Sequence, residues 1–268
     1  MEFAINHMTA PGLQWSGLLD LARELGCAGV EFRNDLPTEL FSGERPEHVG
    51  TETHSKGLRI LGLSQVYPFN VWTDKTEREV AELVSTAKSC GAETISLIPR
   101  NDGIGTGTSE AQEDLRLALK EIKPMLSEAG LVGLVEPLGF ERSSLRYKAD
   151  AIEAIEAIGG QDEYRIVHDT FHHFLAGERE VFPDWTGIVH ISGVTDPSVA
   201  PQDMEDEHRV LVDANDRLGN VAQLRALLDA GYDGTVSFEA FSPTVHAVTD
   251  PAPGLLASIK FIKSQLGF

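Results

Sequence analysis

The sequence predicts an α/β chain folded as a (β/α)8 TIM barrel, a single domain over residues 1–268. Short apolar runs rich in aliphatic and β-branched residues alternate with amphipathic helical segments along the whole length. Eight such runs give an average of about 33 residues per strand–helix unit, the repeat that an eightfold barrel needs. A doubly wound open sheet is the alternative, but FAINHMTAPG, the first run and the residues after it, lacks the glycine-rich phosphate fingerprint of that class.

Taken in order, FAINHM reads as the first strand, WSGLLDLAREL as a helix with apolar residues at helical spacing, and GVEFR as the second strand. The runs RILGLSQ, TISLIPR, LVGLVEP, RIVHDT, GIVHISG and TVSFEAF follow as strands. Between them, EREVAELVSTAKSC and SEAQEDLRLALKEIKPMLSEA read as amphipathic helices. A weak internal echo (ELGCAGVEF, SCGAETISL, EAGLVGLVE, DAGYDGTVSFE) sets a glycine at each helix end, and Gly26, Gly91, Gly130 and Gly231 are expected in the left-handed conformation.

With 42 acidic against 22 basic residues, the formal net charge is −20, a repulsive field for phosphate-rich partners. Nucleic acid is therefore not expected as a partner, and a neutral substrate or a bound cation fits better. The absence of a long apolar run or a charged-then-apolar leader gives no expectation of membrane association and a cytoplasmic location by default. Cys27 and Cys90 cannot make a disulfide framework and are expected as buried thiols.

Four apolar runs close on a metal-ligating residue type: Glu136 in LVGLVEP, Asp169 in RIVHDT, His190 in GIVHISG and Glu239 in TVSFEAF. Period-two alternation sets Glu136 on the face of Val132 and Leu134, His190 with Ile188, and Glu239 with Ser237, so each can point into the barrel mouth. Strands five to eight are neighbours in a closed barrel, and their C-terminal ends meet where barrel enzymes keep their chemistry. Three carboxylates and an imidazole gathered there would repel one another and lose hydration unless a cation neutralised them. Mixed oxygen and nitrogen donors without thiolates suit one divalent ion: Mn, Mg, Co or Zn. The HxxxH spacing of His168 and His172 would suit a zincin helix, but the short β-branched run makes RIVHDT a strand ending near Thr170. His168 is then expected to face the helix layer and His172 to lie in the loop beyond, while His173 is open between site and packing.

The stretches LVEPLGF, IVHDTFHHFLAG, VHISGVTD, EHRVLV and GYDGTVSFEAFSP resemble the xylose isomerase-like barrel superfamily, most closely its inosose isomerase (2-keto-myo-inositol isomerase) branch. The resemblance covers roughly residues 131–243, with HDTFH shared by ketose 3-epimerases and DRLGNVAQLRALLDAGYDGTVSFEAF pointing to the inosose branch. It implies Glu136, Asp169, His190 and Glu239 as ligands of the metal, and His172 and Arg209 as substrate-holding residues. Many relatives follow that arginine with a PGxG turn, whereas this chain has VLVDANDRLGN, which leaves open the reach of Arg209, Asp213 and Arg217; the alternative for Arg209 is a surface pair with Glu205 or Asp206.

The reaction so implied is interconversion of 2-keto-myo-inositol and 1-keto-D-chiro-inositol by proton transfer through an enediolate, with Glu239 removing the proton and Glu136 shuttling or returning it, or the two roles exchanged. Further substrate contacts are expected from Asn6, Glu31 and Trp72; Trp15 is weighed beside Trp72 as an aromatic wall, Glu31 against a simple pair with Arg33, and Trp72 against helix packing. No chemistry is assigned to the DGIGTGTSE loop. The competing functions are a ketose 3-epimerase or hydroxypyruvate isomerase with the same site, an apurinic endonuclease, which the negative charge disfavours, and a non-catalytic polyol-binding barrel. The partner is thus a small cyclic polyol ketone or ketose. Association into a homo-oligomer, dimer or tetramer, would use apolar residues such as Phe41, Phe69 or Trp72 if they are exposed.

Overall fold

The structure, a computed structural model, describes residues 1–107 and 109–268. Thr108, in the DGIGTGTSE loop, lies outside the described residues. Eight parallel strands close on themselves in chain order: β1 (Glu2–Asn6), β2 (Gly29–Arg33), β3 (Arg59–Val66), β4 (Thr94–Leu97), β5 (Val132–Val135), β6 (Tyr164–Asp169), β7 (Thr186–Ile191) and β8 (Thr235–Phe238). The helices are α1 (Trp15–Glu24), α2 (Pro46–Ser55), α3 (Asp74–Cys90), α4 (Ser109–Ala129), α5 (Lys148–Ala157), α6 (Thr170–Ala176), α7 (Asn220–Asp229), α8 (Pro243–His246) and α9 (Ala252–Leu266). All eight apolar runs are strands. Gly26, Gly91, Gly130 and Gly231 have φ between 66° and 98°, the left-handed region that lets a helix stop and the chain turn into the next strand.

Two apolar layers follow from the strand period. One face of each strand meets the helices in the main core, which takes in Ile5, Val30, Leu63, Ile95, Val135, Ile166, Val189 and Phe238. The other face fills the barrel with a separate small cluster of Ala4, Leu61, Leu134, Val167 and Ile188, with Val132 against it. Two residues past Leu134, Val167 and Ile188 stand Glu136, Asp169 and His190, so the alternation that fills the barrel also aims these groups into its mouth. The register aligns them: Asp169 pairs with His190, and His190 with Ser237, two residues before Glu239.

Cys27 and Cys90 are buried free thiols. Phe41 and Phe69 are buried in the main core, so the expectation that they could offer an exposed interface fails for both. Trp72 and Trp15 are half-buried against the same core, and Trp15 meets His48 edge-on with ring centres 5.9 Å apart. Among the described residues no helix is long and apolar enough to cross a membrane.

Candidate metal centre

Asp169 shows how local structure builds the site. It is the last residue of β6 and also the N-cap of α6: its Oδ1 accepts from Phe171 N at 2.8 Å and His172 N at 3.0 Å. Two donor amides at the start of a helix fix the carboxylate rotamer and leave Oδ2 aimed into the mouth. His172 therefore lies on a helix rather than in a loop, because an aspartate capping its own strand end starts the helix at once. Its neighbour across the gap is Gly139: a Cβ there would come within 2.1 Å of His172 O, so only glycine lets the loop after β5 run against α6.

Glu136, Asp169, His190 and Glu239, all buried, each present a ligand atom within 4.8 Å of the others, the one such group among the described residues. His190 Nε2–H donates to Glu31 Oε2 at 3.0 Å, and Ser237 Oγ donates to Glu31 Oε1 at 2.5 Å. With Nε2 carrying the proton, the lone pair of Nδ1 faces the cluster, 3.4 Å from Glu239 Oε2 and 3.9 Å from Glu136 Oε1, and it has no hydrogen-bond partner. A buried, unpaired imidazole nitrogen beside three carboxylates is the donor set of an octahedral or tetrahedral divalent cation without thiolates, so the residues present fit the metal the sequence implies.

Two arginines hold the carboxylates meanwhile. Arg209, only 1% exposed, donates from Nη2 to Asp169 Oδ2 at 2.5 Å and to Glu239 Oε2 at 3.0 Å, from Nη1 to Asp206 at 3.1 Å, and from Nε to Ser192 Oγ at 2.9 Å. Arg209 thus reaches the mouth and also pairs with Asp206, but as a buried group and not at the surface. Val210 forms an antiparallel bridge with Gly193 that anchors the segment lacking PGxG. Arg217 turns away to the carbonyls of Asp196 and Val199, and Asp213 accepts from Asn215 N at 2.7 Å, so neither joins the site.

The electrostatics are uneven. Burial pushes Glu136 above the ordinary carboxylate range, and the negative charge of Glu239 adds to it. Burial acts on Glu239 too, but His190, Arg209 and Arg33 together outweigh it and hold that carboxyl well below its usual range. Burial disfavours protonated His190, yet Glu31 and Glu239 prevail and raise it well above 6.5. A cation entering the site would displace that proton.

Above the cluster opens a cavity of about 210 Å³, walled by Tyr67, Ile98, Leu138, Phe140 and Phe241 and floored by Glu136, Glu239, His172 and Arg209. It is smaller than the ~300–1,000 Å³ of drug-sized pockets, room for a small molecule only. His172, 4% exposed, has an unpartnered Nδ1, and Asn101 presents an unpartnered Oδ1 on the wall. The other expected substrate residues are elsewhere. Glu31 is fully buried beneath the cluster as the orienting partner of His190, Asn6 is fully buried and its Oδ1 accepts from Met8 N, and Trp72 packs on the outer core; none of the three lines the cavity. His168 does face the helices, bonding Gln223 at 3.0 Å, and His173 joins it around Lys148 in a buried network, so the HxxxH pair is divided between two layers.

The sequence reading missed Arg33 as a site residue. It pairs not with Glu31 but with Glu239, its Nη1 donating to Oε1 at 2.7 Å, and with Asp35 through two bonds of 2.8 Å. The signal was present: Glu31 and Arg33 are two apart on one strand and so share the inward face.

A family model described as xylose isomerase-like TIM barrel matches residues 19–265. A xylose isomerase domain containing protein from Salmonella typhimurium LT2 is 30% identical, with all of this chain and 97% of that chain covered and a TM-score of 0.90. The IolI protein with a binding zinc atom is 19% identical over all of this chain and 98% of its own, with a TM-score of 0.86. D-psicose 3-epimerase from Clostridium cellulolyticum H10, with D-tagatose, is 15% identical over 99% of each chain, with a TM-score of 0.74. The last two likenesses speak to the fold alone. No curated protein matches this sequence.

Proposed function

This chain belongs to the xylose isomerase-like TIM barrel family, and from that premise we propose that it is a metal-dependent isomerase of cyclic polyol ketones, interconverting 2-keto-myo-inositol and 1-keto-D-chiro-inositol. The observation that carries the reading is the convergence of Glu136, Asp169, His190 and Glu239 at the barrel mouth. The inosose-like stretches of the C-terminal half and the small, wall-lined cavity support it.

Moving a carbonyl to the adjacent carbon takes a proton from one carbon and delivers one to the next. A bound divalent cation supplies polarisation of the carbonyl and stabilises the negative charge that develops on the substrate oxygens. Glu136 and Glu239 lie on the cavity floor, where a carboxylate can exchange a proton with the reacting carbons. His172 offers Nδ1 to a substrate hydroxyl, and Arg209 holds Asp169 and Glu239 in place from the side. Tyr67, Phe140 and Phe241 limit water around the reacting carbons.

The test is a substrate comparison with protein stripped of metal and reloaded with Mn, Mg, Co or Zn. Turnover of 2-keto-myo-inositol that needs the ion and exceeds turnover of open-chain ketoses and hydroxypyruvate is expected. Faster epimerisation of ketoses at C3 would transfer the site to epimerase chemistry. His172→Ala is expected to raise KM more than it lowers kcat; unchanged kinetics would remove His172 from the substrate site.

A further inference from the structure

The two glutamates on the cavity floor are held differently. Glu239 has both oxygens engaged: Oε1 takes the Nη1 hydrogen bond of Arg33 at 2.7 Å, while Oε2 faces Arg209 at 3.0 Å and His190 Nδ1 at 3.4 Å. Glu136 has as its one ion-pair contact among the described residues the 3.9 Å approach to His190 Nδ1. Arg33 is itself fixed. Its Nε and Nη2 fork onto the two oxygens of Asp35, each at 2.8 Å, and Gln65 Nε2 donates to Asp35 Oδ2 at 3.0 Å. Asn34 and Gln65 clip together, Asn34 Nδ2 to Gln65 O at 3.1 Å and Gln65 N to Asn34 Oδ1 at 2.8 Å, tying the ends of β2 and β3. A hydrogen-bonded chain thus runs from the rim to one ligand: Gln65, Asp35, Arg33, Glu239.

We propose that Arg33, braced by Asp35, is a positioning residue that holds Oε1 of Glu239, so that Glu239 engages the cation through Oε2 alone and the carbon-bound proton is taken by Glu136. This deepens the isomerase reading and rests on it for the proton transfer, though not for the mode of metal binding. A guanidinium fork locked on one carboxylate has few other orientations, so the third donor is delivered to Glu239 at low entropic cost. With one oxygen occupied by a cationic donor and the other turned to the ligand set, Glu239 has little basicity left for a carbon acid. Glu136 has no arginine within ion-pair distance among the described residues and keeps an oxygen for the substrate. The proton goes from the substrate carbon to Glu136 and from there to the neighbouring carbon, while the hydroxyl proton of the first carbon passes to the former carbonyl oxygen, so the step balances without another reactant. Of the two assignments that the sequence leaves open, this one makes Glu136 the base.

The test uses cobalt(II) as the probe in metal-stripped full-length protein, following visible absorption and affinity, and then kinetics. Arg33→Met frees Oε1 to join the cation; the expected result is a weaker, shifted cobalt band as the coordination number rises. Arg33→Lys, which restores one donor, should return the band toward wild type. Asp35→Asn, which loosens the brace, should fall between. In turnover, Arg33→Met is expected to lower kcat by about 10- to 100-fold, the range for outer partners of metal ligands, with KM little changed. A wild-type spectrum and affinity in both Arg33→Met and Asp35→Asn would overturn the proposal, as would a raised KM at unchanged kcat, which would make Arg33 a substrate anchor. If Arg33→Met does not fold, the lysine and asparagine variants decide by the same two criteria. Should no inosose or ketose be turned over by the wild type, the isomerase reading fails while the cobalt spectra still decide the role of Arg33.

Discussion

Replacing Glu31 should cost metal affinity without touching a ligand. Its carboxylate is fully buried between His190 Nε2 at 3.0 Å and Ser237 Oγ at 2.5 Å, so it both fixes the imidazole tautomer and sets the ring orientation. In Glu31→Gln the amide can still present an oxygen to His190, with its NH2 turned to the serine, but the bond loses its charge assistance, about half its strength. In Glu31→Ala nothing holds the ring, and either nitrogen can carry the proton. Outer partners of ligating histidines are worth about 10- to 100-fold in affinity, or ~1.4–2.7 kcal/mol, and the glutamine and alanine variants are expected near the two ends of that range. The assay is calorimetric titration of zinc or cobalt into metal-stripped protein, with far-ultraviolet dichroism to confirm that the barrel is intact. Affinity equal to wild type in both variants would refute the reasoning that Nδ1 of His190 is a ligand oriented through Nε2.

Other consequences follow from the same geometry. Arg209→Met leaves Asp169 and Glu239 buried without their shared cation, so the metal-free protein should lose about 3–5 kcal/mol in urea unfolding, and added metal should recover part of it; equal losses with and without metal would contradict a shared role. Gly139→Ala forces a Cβ within 2.1 Å of His172 O and should destabilise by about 1–3 kcal/mol, with a normal denaturation midpoint as the contrary result. Burial and then the charge of Lys148 push His173 down to about 3, and burial, Lys148 and His173 hold His168 well below its usual value. The unfolded chain takes up these protons near ~6.5 and the folded one does not, so stability should fall as pH drops from ~6.5 toward that lower value. Unfolding free energies across that window should flatten in His173→Asn; an unchanged slope would contradict the assignment.

The fold was legible because both periods were written plainly: apolar runs such as RIVHDT and GIVHISG end on a polar group of the inward face, and glycines such as Gly91 and Gly231 mark where helices stop. The four clustered residues were legible for the same reason, since strand neighbours in a closed barrel bring their ends together. Contacts across the barrel were not. Nothing in the local pattern of GVEFR says that Glu31 reaches β7 and Arg33 reaches Glu239 beyond β8, because those pairings depend on side-chain length and on the register shift after Val30. Trp72 stays open in the sequence for a related reason: position beyond a strand end does not tell whether a ring turns to the mouth or to the helix layer, and here it packs outward. The helix that carries His172 is hidden in the sequence because its N-cap is also the strand's last residue, which leaves no spacer to read.

The account stands most directly on one measurement: proton NMR of 2-keto-myo-inositol in deuterated water with protein of known metal content. Conversion to the 1-keto isomer, dependent on the metal, is the predicted result, with deuterium appearing at the carbon that gains the proton to the extent that Glu136 exchanges with solvent between the two transfers. No conversion and no exchange, with one ion bound per chain at Glu136, Asp169, His190 and Glu239, would contradict it.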